Sequence, residues 1–371
     1  MKEKSVVVFE SKYVSLVNTV SKCGFEIVRQ FCIGETEDIC SAGSDPFFSE
    51  NSVENLIIFA DNSNLKSVTA QLRSASVRNA YILPYDKQLN YQKLSAEELR
   101  RSLYKIDLKK PRLKLLQINL AQHCNLNCRG CANYSNIVGA PAFANAETVR
   151  RDLTRLKDFF WGIERLKLMG GEPLLNKNIC DFVKNSRTIF PDALIHIATN
   201  GLLINDSLQT LFECMRQYHC EFAISVYPAY ANRENSLETL LKKERIRFET
   251  YVFKGFFRKY LNETPRHSKE IGYIMCPARE CHYLDNGILA ICARPLFVHR
   301  LNERFQTAVP DNAGKWDIYS CDIDPWELDS LLRTPIETCR YCGPEEPIEW
   351  KAGKDHIVDK SDWFLPQNNL S

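Results

Sequence analysis

The sequence lacks the features that would place it in a membrane, on nucleic acid or among disordered chains. No apolar run approaches the ~18 residues that cross a bilayer. The opening residues do not resemble a signal peptide, because Glu10 and Lys12 soon interrupt a short apolar stretch. Lys plus Arg number 48 and Asp plus Glu 46, so no basic or acidic excess stands out. We therefore expect a cytoplasmic, globular protein that has no membrane span and binds no nucleic acid.

The first segment, residues 1–108, lacks the glycine-rich turn of a dinucleotide site. Strands alternate with helices here, which predicts a small N-terminal Rossmann-like α/β domain with a parallel sheet. The turn after its first strand reads Glu10-Ser11-Lys12-Tyr13, without glycine. We therefore expect a docking or substrate-contacting domain whose ligand the sequence does not identify. The charged helix around 97–108 is expected to link it to the next domain.

Cysteine is what the sequence has in unusual number, with 15 residues in 371. In a reducing cytosol, clustered cysteines more often bind metal or do redox chemistry than form disulfides. Three form a tight group, Cys124, Cys128 and Cys131, and six crowd the last hundred residues. The isolated ones, including Cys214, are interpreted as small buried hydrophobic residues.

The middle segment, residues 112–265, repeats a strand–helix unit. Such repeats predict parallel strands joined by right-handed crossovers in an open or closed barrel. In these folds the chemistry lies at the carboxyl ends of the strands. The unusual residues fall at those ends, in strand order: the cysteine triplet, then Gly170-Gly171-Glu172-Pro173, then Thr199 and Asn200, then Ser225.

The triplet has the spacing C-x3-C-x2-C on a single loop. Three thiolates from one short loop can hold three irons of a [4Fe–4S] cluster and leave the fourth iron open to a small molecule. Structural zinc sites usually need a second cysteine pair or a histidine, and His123 is adjacent to a cysteine that is already a ligand candidate. From the triplet alone, an iron–sulfur cluster is favoured and zinc remains an alternative.

With the residues after it, this triplet resembles the signature of the radical S-adenosylmethionine (SAM) superfamily. The resemblance implies a partial (βα)6 radical SAM barrel over 112–265. It also implies a [4Fe–4S] cluster on Cys124, Cys128 and Cys131, with SAM bound at its open iron. Gly170, Gly171, Glu172 and Pro173 match the family segment for the SAM amino group, and backbone carbonyls with a carboxylate suit an ammonium. Thr199, Asn200 and Ser225 match positions that contact the SAM ribose and carboxylate.

The resemblance also implies the activity and its partners. SAM would be cleaved reductively to methionine and a 5′-deoxyadenosyl radical, which abstracts hydrogen from a substrate. The electron would come from a flavodoxin or ferredoxin-type reductant. The chain departs from the family at Gly130, where an aromatic residue often precedes the third cysteine. Either Tyr134 or the backbone alone would then contact the adenine.

The last segment, residues 270–371, is predicted to be an irregular, Cys-rich C-terminal domain. Asp285-Asn286-Gly287 predicts a hairpin that places Cys281 opposite Cys292. Cys339 and Cys342 form a CxxC pair, and Cys276 is a fifth candidate ligand. The pattern resembles the twitch and SPASM extensions of radical SAM enzymes, which implies one auxiliary [4Fe–4S] cluster. Which four cysteines bind it stays open, as does a structural zinc.

The substrate is the least specified part of the prediction. The residues around the triplet and around Gly170 resemble a subset of the family found beside polysaccharide genes. This resemblance implies a small-molecule, carbohydrate substrate that is dehydrogenated or epimerised by an oxidoreductase-type reaction. Modification of a ribosomal peptide is the first alternative, and a non-catalytic zinc-binding scaffold is the second. The sequence identifies neither the substrate nor the oligomeric state.

Overall fold

The structure is a computed structural model that describes residues 3–10, 13–33, 52–60, 62–83, 95–228, 234–253, 256–352 and 357–365. Cys40 and two residues of the predicted turn, Ser11 and Lys12, lie outside these ranges. None of the helices described is long and apolar enough to cross a membrane. The α/β fold class is confirmed, with a small amino-terminal sheet and a larger second sheet.

The first sheet has the strand order β2-β1-β3-β4-β5, with only β5 antiparallel to its neighbour. Its strands are β1 (Glu3–Glu10), β2 (Phe25–Ile33), β3 (Val53–Phe59), β4 (Val77–Ile82) and β5 (Tyr104–Ile106). Its helices are α1 (Val14–Val20), α2 (Asn62–Gln71) and α3 (Ala96–Ser102). A capping box of Ser95 and Glu98 starts α3, and Leu99 is buried against this sheet. The charged segment expected to be a linker therefore belongs to the first domain.

The second sheet has the order β10-β9-β8-β7-β6-β12-β13-β14. Its first six strands are β6 (Arg112–Ala121), β7 (Gly162–Gly170), β8 (Leu194–Thr199), β9 (Cys220–Val226), β10 (Phe248–Val252) and β12 (His282–Asp285). The strands β6 to β10 are parallel, and β12 adds to β6 in the same direction. The edge is completed by β13 (Ile288–Ala290) and β14 (Lys315–Asp317). Among the residues described this sheet stays open, since β11 (Phe256–Leu261) pairs with β15 (Cys342–Ile348) instead.

The crossover helices cover one face of the parallel strands. The crossover helices are α4 (Ala146–Leu156), α5 (Ile179–Ile189), α6 (Gln209–Gln217) and α7 (Glu234–Lys243). The C-terminal helices are α8 (Lys269–Ile274), α9 (Ala293–Phe297), α10 (His299–Phe305) and α11 (Pro325–Leu331). Of these, α9 and α10 pack against Tyr283 of β12 in a separate hydrophobic cluster. Ile195 and Ile197 pack into the core beneath the crossover helices, so His196 between them points to the opposite, inner face. Strand alternation thus separates an apolar outer face from an inner face that carries polar residues.

A buried ion pair joins the amino-terminal edges of β6 and β8. Arg112 donates through Nε and an Nη atom to Asp192 Oδ2 at 3.1 and 3.0 Å, and both side chains are at most 1% exposed. A Cβ at Gly162 would meet the same carboxylate, so glycine is required beside it. The charge of Arg112 is therefore compensated by a carboxylate that is itself enclosed.

We expect Asp192→Ala to lower the free energy of unfolding by about 3–5 kcal/mol, since it leaves a guanidinium buried without its carboxylate. Urea unfolding of the full chain measures this loss. Asp158→Ala is the matched control, because Asp158 pairs with Arg155 where both side chains are solvated, at 57% and 31% exposure. That control should cost under about 1 kcal/mol. Equal losses in the two variants would contradict the assignment.

Candidate metal centres

The cysteine triplet lies on the loop that follows β6. Asn127 and Gly130 adopt left-handed backbone angles, with φ of 51° and 61°, which turn the loop between its cysteines. Burial raises the pKa of both Cys124 and Cys128 to about 12, and Cys131 adds to the effect on each of them. The three thiols therefore lie close enough to interact. A bound cation would favour ionisation of Cys124 and Cys128 against the effect of burial.

The Gly170–Gly171 turn lies directly against the start of this loop. The Gly171 amide donates to Ala121 O at 2.8 Å, and the Glu172 amide donates to His123 O at 3.1 Å. A Cβ at Gly170 would meet the Ala121 carbonyl, and one at Gly171 would meet the His123 carbonyl. Glycine is required at both positions because backbone meets backbone there. The turn thus lies beside the start of the triplet loop.

Glu172 ties the ends of β7 and β8 together. Its carboxylate is fully buried and accepts from Thr199 Oγ1 at 2.7 Å, from the Asn200 amide at 2.9 Å and from the Leu174 amide at 3.0 Å. Burial raises the pKa of Glu172 to about 7, against the opposing effect of these donors. With three donors already bound, the carboxylate holds the turn in place. Contact with an ammonium would fall mainly to the backbone carbonyls nearby.

Asn200 extends this connection to the cysteine loop. Its side-chain amide donates to Asn125 Oδ1 at 2.7 Å and lies 3.6 Å from Cys124 Sγ. The structure therefore brings Gly170 to Pro173, Thr199 and Asn200 together with Cys124. Their contacts to a cofactor remain predictions.

Replacing Glu172 should therefore destabilise the chain according to how many donors lose their acceptor. We expect Glu172→Ala to cost about 3 kcal/mol or more, because buried donors remain unsatisfied, and Glu172→Gln to cost less, because one carbonyl oxygen remains. Urea unfolding of the metal-free chain provides the measurement. Glu147→Ala, which removes an exposed partner of Arg150, is the control. A Glu172→Ala variant as stable as that control would contradict the bracing role.

An aromatic stack beside the triplet was not found from the sequence. Tyr227 stacks on Phe253 with ring centroids 5.3 Å apart and on Trp350 at 6.2 Å. Burial raises the pKa of Tyr227, with the three thiols adding to the effect, and its hydroxyl bonds with Ser225. Ser225 thus contacts a tyrosine that itself lies near the triplet. The position of Tyr227 just after β9 was the one available signal, whereas nothing local marked Trp350.

Tyr134, one of the two suggestions for contact with the adenine, is buried in the structure. Its ring is only 2% exposed and packs against Trp363 with centroids 6.2 Å apart. Tyr134 has φ of 56°, and the tight turn that this angle makes directs its ring into a C-terminal hydrophobic cluster. The stack of Tyr227, Phe253 and Trp350 is the aromatic surface that lies near the thiols instead.

The C-terminal residues hold the triplet loop from the other side. The Arg129 amide donates to Lys351 O at 2.8 Å, and Arg129 Nε donates to Asp362 Oδ1 at 2.9 Å. The Trp363 indole donates to Cys131 O at 3.0 Å. The loop conformation therefore depends on residues more than 200 positions away in the sequence.

The second cysteine group surrounds a pocket of about 130 Å³. Five cysteines line it: Cys276, Cys281, Cys292, Cys339 and Cys342. The predicted hairpin forms with Asp285 opposite Ile288, and counting back places Cys281 and Cys292 at its open end. Cys339 and Cys342 come from a 3-10 turn and the start of β15, and Cys276 follows α8. All five candidates meet here, while Cys321 lies outside this pocket in the turn after β14.

Neither cysteine group shows the compact sulfur spacing of a preformed tetrahedral zinc site among the residues described. Tetrahedral zinc with bonds of ~2.3 Å places its sulfurs about 3.8 Å apart. Among the residues described, the one set of three ligand-type side chains with all ligand atoms within 4.8 Å is His196, Glu221 and Glu249. Neither cysteine group meets that limit. A four-iron cluster spreads its thiolates around a larger core and fits a pocket with room for several waters.

Two buried tyrosines separate the two cysteine groups. Burial raises the pKa of Tyr134 to about 12, and thiols from both groups add to the effect. The pKa of Tyr283 is also raised, by burial first and then by Cys281, Cys292 and Cys131. The Tyr283 hydroxyl donates to Asn133 Oδ1 at 3.2 Å, and Asn133 donates to Gly170 O at 3.0 Å. The two candidate centres are thus near neighbours.

Comparison with known proteins agrees with this arrangement. Residues 118–251 match the radical SAM superfamily. A GTP 3′,8-cyclase of Clostridium perfringens is 30% identical over 100 residues, which cover 26% of this chain and 30% of that protein. Molybdenum cofactor biosynthesis protein 1 of Homo sapiens is 33% identical over 211 residues, which cover 54% of this chain and 29% of that protein. The chain thus spans about a third of the length of these relatives.

Among solved structures, BtrN in complex with AdoMet and 2-DOIA has a TM-score of 0.42 and 15% identity, covering 63% of this chain and 94% of that one. Residues 118–251, which match the radical SAM superfamily, include the Gly170–Gly171 turn and the strand ends that surround the triplet. This chain therefore contains a radical SAM domain, and that family implies a [4Fe–4S] cluster and SAM as cofactors.

Proposed function

We propose that this radical SAM enzyme abstracts hydrogen from a carbohydrate and, with a second [4Fe–4S] cluster, dehydrogenates or epimerises it. When bound, the first cluster and SAM would supply a 5′-deoxyadenosyl radical by reductive cleavage. The observation that carries the proposal is the meeting of the cysteine triplet, the Gly170–Gly171 turn and the Glu172 brace at one sheet edge. The five-cysteine pocket lies nearby, with Tyr134 and Tyr283 close to thiols of both cysteine groups.

The inner face of the sheet supports a polar substrate. Gln117, Lys167, His196 and Glu221 pair in register across four strands and form one row. His196 is fully buried, and neither of its ring nitrogens has a hydrogen-bond partner in the part of the chain described. Asn119 follows Gln117 by two residues on β6 and is 3% exposed. Neither its side-chain nitrogen nor its side-chain oxygen has a hydrogen-bond partner among the described residues. Such groups favour a ligand that donates and accepts hydrogen bonds.

The charges on this face offset one another. Glu221 Oε1 lies 3.3 Å from Arg247 Nε, and His196 Nε2 lies 3.8 Å from Glu221 Oε2. Burial lowers the pKa of Lys167, while Glu249 acts in the opposite direction and thus lies near it. With two cations beside two carboxylates, this row is an ion-pair network and a poor cation site. A neutral, hydroxyl-rich ligand fits it better than a phosphate or an ammonium.

Small residues follow this row toward the carboxyl ends of the strands. Ala198 and Ala223 pair in register two residues after His196 and Glu221. Gln117 belongs both to the polar row and to the lining of the five-cysteine pocket. A substrate held over the two alanines would therefore lie near both candidate centres, as hydrogen abstraction followed by electron loss requires.

The experiment is anaerobic reconstitution with iron and sulfide, followed by reduction with SAM. We expect a dark protein with about eight irons that forms 5′-deoxyadenosine. A panel of deuterated free and nucleotide-linked hexoses should transfer deuterium into that product. GTP, suggested by the printed name of the cyclase relatives, and a synthetic peptide are the competing classes. Deuterium transfer only from GTP or the peptide would overturn the carbohydrate proposal. A colourless protein that contains zinc and does not cleave SAM would overturn the proposal that the chain is an enzyme.

A further inference from the structure

We propose that Arg294 is a positioning residue, the buried counter-charge that raises the reduction potential of a cluster held in the five-cysteine pocket. The inference rests on the second cluster of the proposed function. Arg294 lies on α9, two residues after Cys292, and lines the pocket together with all five cysteines. Its Nε is buried and has no hydrogen-bond partner within the described ranges.

The charge balance of the pocket gives Arg294 this role. A guanidinium keeps its charge in proteins, and burying an uncompensated ion costs several kcal/mol. No carboxylate is found among the residues that line this pocket, so the negative charge beside Arg294 would come from the cysteine thiolates that hold the cluster. Arg279 lines the same pocket but is exposed, so water screens its charge.

A fixed positive charge favours the form of a cluster with one more electron. A [4Fe–4S]²⁺ core with four thiolates carries a net charge of about −2, and one-electron reduction makes it about −3. In the assay dithionite supplies that electron. In the proposed reaction the substrate radical supplies it and becomes a carbonyl as its hydroxyl loses a proton. A buried guanidinium would make this electron transfer easier, because it stabilises the more negative state.

The test is an anaerobic redox titration of the full reconstituted chain, followed by electron paramagnetic resonance. Addition of SAM changes the signal of the SAM-binding cluster and so identifies the other one. We expect Arg294→Met to disfavour reduction of the second cluster at least tenfold, which is 59 mV for one electron. Arg294→Lys should retain most of the wild-type potential, and Arg279→Met should leave it unchanged. A potential in Arg294→Met equal to that of Arg279→Met would overturn the inference.

Iron content separates the failure of this inference from that of the proposed function. Wild type with only about four irons would remove the second cluster and this inference together. Wild type with about eight irons and no shift in Arg294→Met would remove the inference alone. Should Arg294→Met lose the second cluster, Arg294→Lys decides: a wild-type potential supports the inference, and a shift beyond tenfold overturns it.

Discussion

Cys128→Ala should reduce the formation of 5′-deoxyadenosine from SAM more than a hundredfold, to the background of the assay. Even residues that only orient metal ligands are worth about 10–100-fold in affinity or activity, so loss of a direct ligand should cost more. The triplet offers only three thiols, and the Gly170–Gly171 turn occupies the space beside Cys124. The variant should also bind about four fewer irons than wild type.

Cys214→Ala is the matched control for this prediction. Cys128 and Cys214 are both 8% exposed, and both belong to the same hydrophobic core. Cys214 lies on α6 and makes its contact with Cys180 O on α5, on the outer face of the sheet. Its replacement should therefore leave SAM cleavage and iron content at the wild-type level. Equal loss of activity in both variants would point to general destabilisation and against a ligand role for Cys128.

The parallel strands were predictable because their periodicity is local. Leu166 and Leu168 alternate with polar residues, and the strand–helix repeat predicted over 112–265 includes the helix Ile179–Ile189. The hairpin around Asn286–Gly287 was equally accessible, since its turn type needs residues that tolerate positive φ, and both have it. The triplet spacing and the glycine pair pointed to the cofactor site for the same reason, as each is a short contiguous pattern.

Contacts between distant segments could not be predicted in this way. Nothing near Trp350 or Trp363 indicates that the C-terminal residues pack onto the triplet loop. The bracing role of Glu172 was also not predicted, because a carboxylate in a glycine-rich turn suggests ligand contact. Its three donors come from Thr199, Asn200 and Leu174, and two of these follow the next strand. Burial of that carboxylate depends on the packing of two strand ends, which one sequence does not encode locally.

Cys342→Ala should produce the reciprocal effect to Cys128→Ala. SAM cleavage should continue, because the triplet and its turn contain no residue of the five-cysteine pocket. Turnover of the substrate to product should be lost, since the cluster that accepts its electron would be missing. Iron analysis should show a fall from about eight to about four per chain. Cys321→Ala is the control, as this cysteine lies outside the pocket but in the same C-terminal segment.

Five cysteines for four ligand positions make the outcome of this prediction informative in either direction. Retention of part of the iron in Cys342→Ala would mean that the spare thiol, which already lies in the pocket, has taken the vacated position. Cys276→Ala and Cys281→Ala measured in parallel identify the spare, because its replacement alone leaves about eight irons. A double variant of Cys342 and that spare must then lose the second cluster completely. Retention of about eight irons in this double variant would contradict the assignment of the pocket as a cluster site, while SAM cleavage by the triplet would stand unaffected.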